Sequence, residues 1–183
     1  RDRAAAYREK TGEGDYWALA AVLGAEHLIH ARKSPPDALD LAYDLCPPAE
    51  PATLPEWRGT VWAGQIAALL GRDSILRDNG DAGGPAYLNR LPGRLVRALR
   101  NNELLPIERA EAGRALARLG DPRPEAIDVD AMALCPVSAG WFWMGSPEND
   151  ERGYRAERPL HPQEIARPFE IGRYPVTQAQ YSA

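Results

Sequence analysis

Apolar residues recur at three- and four-residue spacing as far as residue 119, then change to short, dense clusters after residue 134. The first regime predicts helices. One runs from Asp15, a candidate N-cap, to about Arg32, with Trp17, Ala20, Ala21, Leu23, Leu28 and Ala31 as a broad apolar stripe. Arg32 and Lys33 suit the negative end of its dipole. Residues 1–11, polar and Ala-rich, read as the tail of a further helix. Ser34-Pro35-Pro36-Asp37 starts a second helix, with Leu39, Ala42 and Cys46 inward and Pro47-Pro48 as its stop. After a Pro-rich connector over 47–54, Thr53 or Leu54 with Pro55-Glu56 opens a third helix. It is marked by Trp57, Val61, Trp62, Ile66, Leu69 and Leu70 and ended by Gly71.

A single turn is expected over 73–77, then a flexible loop from Asn79 to Gly84. Tyr87, Leu88, Leu91, Leu95 and Leu99 predict a helix over 85–100, kinked or broken at Pro92-Gly93. The next helix starts at Pro106, with Ile107, Ala110, Leu116 and Leu119 inward. Glu108, Arg109, Glu111, Arg114 and Arg118 face solvent, and Gly120 with Pro122 ends it. Antiparallel helix pairs on short connectors fit a HEAT-like or tetratricopeptide-like stack. The lack of a clean repeat period leaves an irregular bundle equally open.

The second regime predicts strands. Val137 to Met144 reads as one strand and 163–173 as another, interrupted at Pro168, with a long charged loop over 146–162 between them. Thr177 and Gln180 have capping-box spacing, so a helix is expected from residue 178. Isolated strands expose unpaired backbone groups, so further polypeptide is expected to complete this sheet.

Composition narrows the function classes. A net charge of −4 gives no basic footprint for nucleic acid, and no run of 18 apolar residues suggests a membrane span. Without a signal-peptide pattern at Arg1-Asp2-Arg3-Ala4, a cytoplasmic location is expected. The absence of an initiator Met and the end at Ala183 suggest a piece of a longer polypeptide. Cys46 and Cys135, the only cysteines, are expected as thiols rather than a disulfide, and two cannot build a Cys-rich zinc site.

Candidate chemistry is sparse. His27 and His30, with Glu26 adjacent, share a helical face and could supply two metal ligands. A helix end where His favours the dipole explains them as well, and a third ligand is missing nearby. Asp37, Asp40 and Asp44 could hold a divalent ion or form a solvated acidic face. The Gly-rich stretch 80–84 is not a phosphate loop, since no Gly-Lys-Ser/Thr follows it. Trp57 and Trp62 are expected in the core. No catalytic, cofactor-binding or metal-binding residue is assigned, and no cofactor.

The motif Gly140-x-Phe142-x-Met144-Gly145-Ser146 is followed by Asp150-Glu151, Glu157-Arg158-Pro159-x-His161 and Phe169-x-Ile171-x-Arg173-Tyr174-Pro175-Val176-Thr177-x-x-Gln180-Tyr181. This series resembles the opening of the formylglycine-generating-enzyme (sulfatase-modifying factor) domain, over about residues 134–183. Gln178 stands where that family usually has Asn. The stretch Leu105-Pro106-x-Glu108-Arg109-Ala110-x-Ala112-Gly113 through Gly120-Asp121-Pro122-Arg123 resembles the linker helix before this domain in bacterial NACHT- or caspase-type multidomain proteins. The resemblance implies a C-type-lectin-like fold. No position here matches the family's late copper-binding cysteine pair, Cys135 included. His27 and His30 do not reproduce the histidine triad of the iron-dependent sulfoxide synthases that share the fold.

The expectation is therefore an α+β chain: a helical domain over 1–124, a linker over 125–133, and the first part of a lectin-like domain over 134–183. Its expected role is a non-catalytic module binding an unknown protein or small ligand. It could be a variable protein of a diversity-generating retroelement or a sensor part of a bacterial signalling or defence protein. The alternative is a metal-dependent oxidase of the formylglycine-generating or sulfoxide-synthase type whose catalytic residues lie beyond this chain. Within 134–183, the polar loop 146–162 is the segment expected to contact a partner.

Overall fold

The computed structural model describes residues 14–80 and 83–182, and the side chains from residue 17 onward. The expected helix tail over 1–11 lies outside the described residues. The chain divides after Pro122 into a helical unit and a strand-containing unit. The architecture is thus α+β, a helical bundle followed by a small β region.

In the helical unit, α1 spans Gly14–Glu26 and passes directly into a π-helical turn, His27–Ala31. Asp15 therefore lies inside the helix rather than capping it. The apolar stripe also differs from expectation: Ala21 and Ala25 are buried, whereas Leu23 and Ala31 are exposed. Small residues face the core because α1 packs closely on its neighbour.

Helix α2, Pro35–Leu45, starts at Ser34 with proline at its first position, as local chemistry dictates. It buries Ala38, Leu41, Ala42 and Leu45, with Leu39 partly buried beside them. Helix α3, Leu54–Leu70, begins with a complete Thr53/Glu56 capping box; the Glu56 carboxylate accepts from Thr53 N–H at 2.9 Å. It stops at Gly71, which holds a φ of +80°. A one-turn helix α4, Arg72–Leu76, follows at once.

Helix α3 is the axis of the unit. Residues Gly59 to Gly64 are all buried, so it is covered on nearly every side. Helices α1, α2, α5 (Gly84–Leu99) and α6 (Pro106–Leu119) all pack on it. A solenoid repeat touches only its neighbours along the stack. Here one helix meets partners from both ends of the unit, which is the geometry of an irregular bundle. Trp62 and Ile66 sit at its centre with Tyr87, Leu91, Leu95 and Leu116.

Helix α5 is not broken at Pro92-Gly93, and helix α6 turns a different face inward than expected. Helix α5 runs through Pro92 as one element. The proline removes one backbone hydrogen bond, but Leu91, Pro92 and Leu95 are all buried, and that packing holds the helix together. Helix α6 is rotated relative to its predicted face: Ile107 and Ala110 are exposed, and Glu108, Ala112, Ala115, Leu116 and Leu119 turn inward. Glu108 is buried because its carboxylate meets Arg58 Nε of α3 at 2.7 Å and accepts the Leu105 N–H at 2.7 Å. An acid satisfied on both oxygens tolerates a buried position.

In the strand unit, the expected linker over 125–133 begins inside a short helix α7, Pro124–Ile127, which packs against α8, Gln178–Tyr181. The Thr177/Gln180 capping box forms as expected. The same two side chains also donate outward: Thr177 Oγ1 to the Ala126 carbonyl at 2.7 Å, and Gln180 Nε2 to the Glu125 carbonyl at 3.0 Å. They close the C-terminal end of α7 with donors that its carbonyls need.

The strands form a bent two-stranded ribbon. β1 (Leu134–Val137) pairs antiparallel with β4 (Phe169–Gly172), and β2 (Gly140–Met144) with β3 (His161–Ile165). The expected single strand over 137–144 is thus two strands, broken at Ser138-Ala139. On the return path three residues, 166–168, span the same break, one more than the two opposite. This is a bulge-like mismatch at Pro168 that bends the ribbon. Each ladder has only two strands.

Candidate functional site

The metal candidates of the helical unit do not assemble. His27 and His30 are both exposed on the π-turn, and Asp37 and Asp40 are exposed on α2. Among the described residues no group of three or more His, Cys, Asp or Glu is placed to hold an ion. Cys46 is a buried free thiol and Cys135 a half-buried one.

Sequence reasoning missed a polar cluster around Tyr43. Its hydroxyl donates to Asp78 Oδ2 at 2.8 Å and accepts the Gly84 N–H at 2.9 Å. Asp78 Oδ1 accepts the Gly80 N–H at 3.1 Å. Burial pushes the Tyr43 hydroxyl up to about 12, the bond to Asp78 adding to the rise and that from Gly84 opposing it. The Tyr43 and backbone bonds hold the Asp78 carboxyl below its usual range. Gly83 and Gly84, expected in an open flexible loop, are buried. Gly84 has a φ of +46°, and a Cβ there would run into the Asp78 carbonyl, so glycine is required. The Asn79-Gly80 and Gly83-Gly84 ends of this loop are thus tied down; residues 81–82 lie outside the described residues. A hollow of about 380 Å³ beside the cluster is lined by Leu39, Asp40, Tyr43, Ser74 and Arg77. The tyrosine stays protonated and serves as a donor.

Arg94 was also missed, because nothing local marks it. Although buried, it donates to the carbonyls of Pro47 and Pro48 at 2.5 and 2.7 Å and to Cys46 Sγ at 3.3 Å. It thereby holds the Pro-rich connector. That connector borders a cleft of about 330 Å³ with Asp44, Glu50, Thr53 and Glu56 on its walls.

In the strand unit the polar loop is more ordered internally than its composition suggests. Ser146 N–H donates to the Glu157 carbonyl at 2.8 Å, and Ser146 Oγ to Glu157 Oε2 at 2.9 Å. Arg158 Nη2 donates to the Asp150 carbonyl at 2.6 Å, and its Nη1 lies 3.6 Å from Glu148. A 3-10 turn, Arg155–Glu157, precedes β3, which starts at His161 rather than at the expected residue 163. A broad open hollow of about 630 Å³ is lined by Glu148, Gly153, Arg155, Arg158 and Pro159.

The dominant feature of this unit is apolar exposure. Trp141 and Trp143 are 70% and 69% exposed, and Phe142, Met144, Phe169, Ile171, Tyr174 and Val176 are exposed with them. Only Gln180 is buried among the described residues of the unit. Opposite residues of an antiparallel pair share a face. One face of β2–β3 therefore carries Trp141, Trp143, Pro162 and Glu164, and the other Phe142, Met144, His161 and Gln163.

What fold and surface define together is a packed helical bundle followed by a small, apolar-faced strand unit. No family model, no curated protein and no solved structure matches this chain. Among the described residues no helix is long and apolar enough to cross a membrane.

Proposed function

We propose that residues 134–182 open a C-type-lectin-like scaffold of the formylglycine-generating-enzyme type, and that this scaffold serves as a non-catalytic module binding a protein or small ligand. The observation that carries the reading is the exposure of apolar side chains on both faces of a ribbon whose ladders are only two strands wide. Soluble domains rarely leave such surface uncovered unless it meets further polypeptide or a ligand. The motif series from Gly140 to Tyr181 supports the family assignment, and the firmly hydrogen-bonded loop 146–162 supports a partner-facing role.

The test has two arms. The purified protein is loaded with copper(I) and, separately, with iron(II). Bound metal is then measured by elemental analysis, and oxidation of a cysteine-containing peptide by mass spectrometry. No stoichiometric metal and no peptide oxidation are expected; one bound ion per chain with oxidation overturns the non-catalytic reading. In the second arm the strand unit is expected to bind the apolar dye anilinonaphthalene sulfonate, and Phe142→Ser with Phe169→Ser to reduce that binding. Absence of dye binding removes the open apolar surface on which the reading rests.

A further inference from the structure

The ribbon has two outer hydrogen-bonding edges, and they are not alike. Arg173 N–H donates to the Ala133 carbonyl at 2.8 Å, one step beyond the β1–β4 ladder. Alternation of hydrogen-bonded and non-hydrogen-bonded pairs then places Leu134 and Pro136 where their own backbone groups point away from β4. Pro136 offers no donor there. In the other ladder Pro162, which has no N–H, stands opposite Trp143. This assigns the Trp143–Pro162 pair to the non-hydrogen-bonded set, and with it Trp141–Glu164.

The outer edge of β3 is therefore blunted twice. Pro162 has no donor, and the Glu164 carbonyl accepts the Gln163 side-chain amide at 3.4 Å. β4 presents Glu170, a charge, and Gly172. β2 alone carries neither proline nor charge over Gly140–Met144. It turns outward the N–H and C=O of both Trp141 and Trp143.

We propose that β2 is a strand-addition edge and that its occupant is β2 of a second copy of this chain, paired antiparallel. The four outward groups are symmetric about Phe142. A twofold axis there sets Trp141 opposite the partner's Trp143 and closes four N–H···O bonds, a self-complementary contact. The two most exposed tryptophans then meet the same two from the other copy in one row on one face. Two ribbons, each below the size at which a sheet is independently stable, become one four-stranded sheet. The pairing deepens the binding-module reading, and rests on its open strands, by naming what covers this edge.

Sedimentation equilibrium of the 183-residue protein over about 1–100 μM tests it. A dimer is expected. Trp143→Pro deletes one outward donor and leaves the ladder to β3 its bonds. The double variant Trp141→Lys with Trp143→Lys places like charges on the edge. Each is expected to weaken dimerisation roughly tenfold or more, whereas Tyr174→Ala, outside β2, leaves it unchanged. Circular dichroism at 222 nm checks that the helical unit stays folded in every variant. A monomer throughout, or a dimer indifferent to both edge variants, overturns the pairing. If the monomer still binds the apolar dye, the second-copy pairing alone falls; if it does not, the open-strand reading beneath it falls too.

Discussion

The two units of this chain handle apolar residues in opposite ways. In the helical unit Trp62 is 1% exposed, within the core cluster built around α3. In the strand unit Trp143 is 69% exposed, and every buried apolar residue of the described chain lies at or before Leu119. The residue type is the same, so the difference lies in what surrounds it. A helix satisfies its own backbone and needs a partner only for one stripe or, like α3, for its whole circumference. A strand needs partners for its edge and its faces at once, and two strands supply too few.

The largest expected effect breaks this contrast at its strong end. Trp62→Ala is expected to destabilise the helical unit by about 3–5 kcal/mol, read by urea denaturation at 222 nm. Trp143→Ala, at the weak end, should leave that transition within about 0.5 kcal/mol. Equal effects would mean that the strand unit has a packed core after all. Next in size is Glu108→Ala, which leaves Arg58 facing a hole in a site where the two side chains are 14% and 9% exposed. A loss of about 2–3 kcal/mol is expected by the same measurement, and Glu108→Gln should recover part of it through the Leu105 N–H.

The smallest effect concerns pH. The Tyr43 hydroxyl is raised in the folded state, so its contribution is complete below about pH 10 and is lost as pH climbs through about 12. Buried Tyr87, raised for the same reason, adds to that alkaline loss. Asp78 has the opposite sign: its lowered folded value makes its contribution present at neutral pH and lost on acidification. Tyr43→Phe should flatten both limbs of a stability–pH profile and cost about 1 kcal/mol at neutral pH.

Where the chain's local chemistry decides, sequence and structure agree. The Thr53/Glu56 and Thr177/Gln180 boxes and the stops at Gly71 and Gly120 are satisfied by residues within four positions of one another, and Pro35 opens α2 as expected, although Ser34 makes no side-chain cap bond there. Disagreement begins where the partner is remote. Glu108 is written like a surface acid and is buried because Arg58, fifty positions away, receives it. Ile107 is written like a core residue and faces out, because the face that carries Glu108 toward Arg58 is the one packed inward. Pro92 breaks isolated helices, but its outcome here depends on neighbours packed from α3 and α6. The ribbon's division at Ser138-Ala139 was hidden because Leu134-Cys135-Pro136 lacks strand-like alternation; its pairing comes from Gly172 to Phe169, far along the chain. The candidate site was legible only as a motif series. Its exposure and the asymmetry of its edges depend on pairing register, which no local pattern encodes.

Arg94 bears on how the helical unit opens and closes. It reaches from α5 to the two proline carbonyls that follow α2, and prolines cannot return a donor of their own. The end of one helix is therefore completed by a guanidinium 46 and 47 positions downstream. Separating the middle of α5 from the segment that follows α2 breaks both of these bonds. In native-state hydrogen exchange α2 and α5 should behave as one cooperative unit, with their slowest amides released at a common free energy.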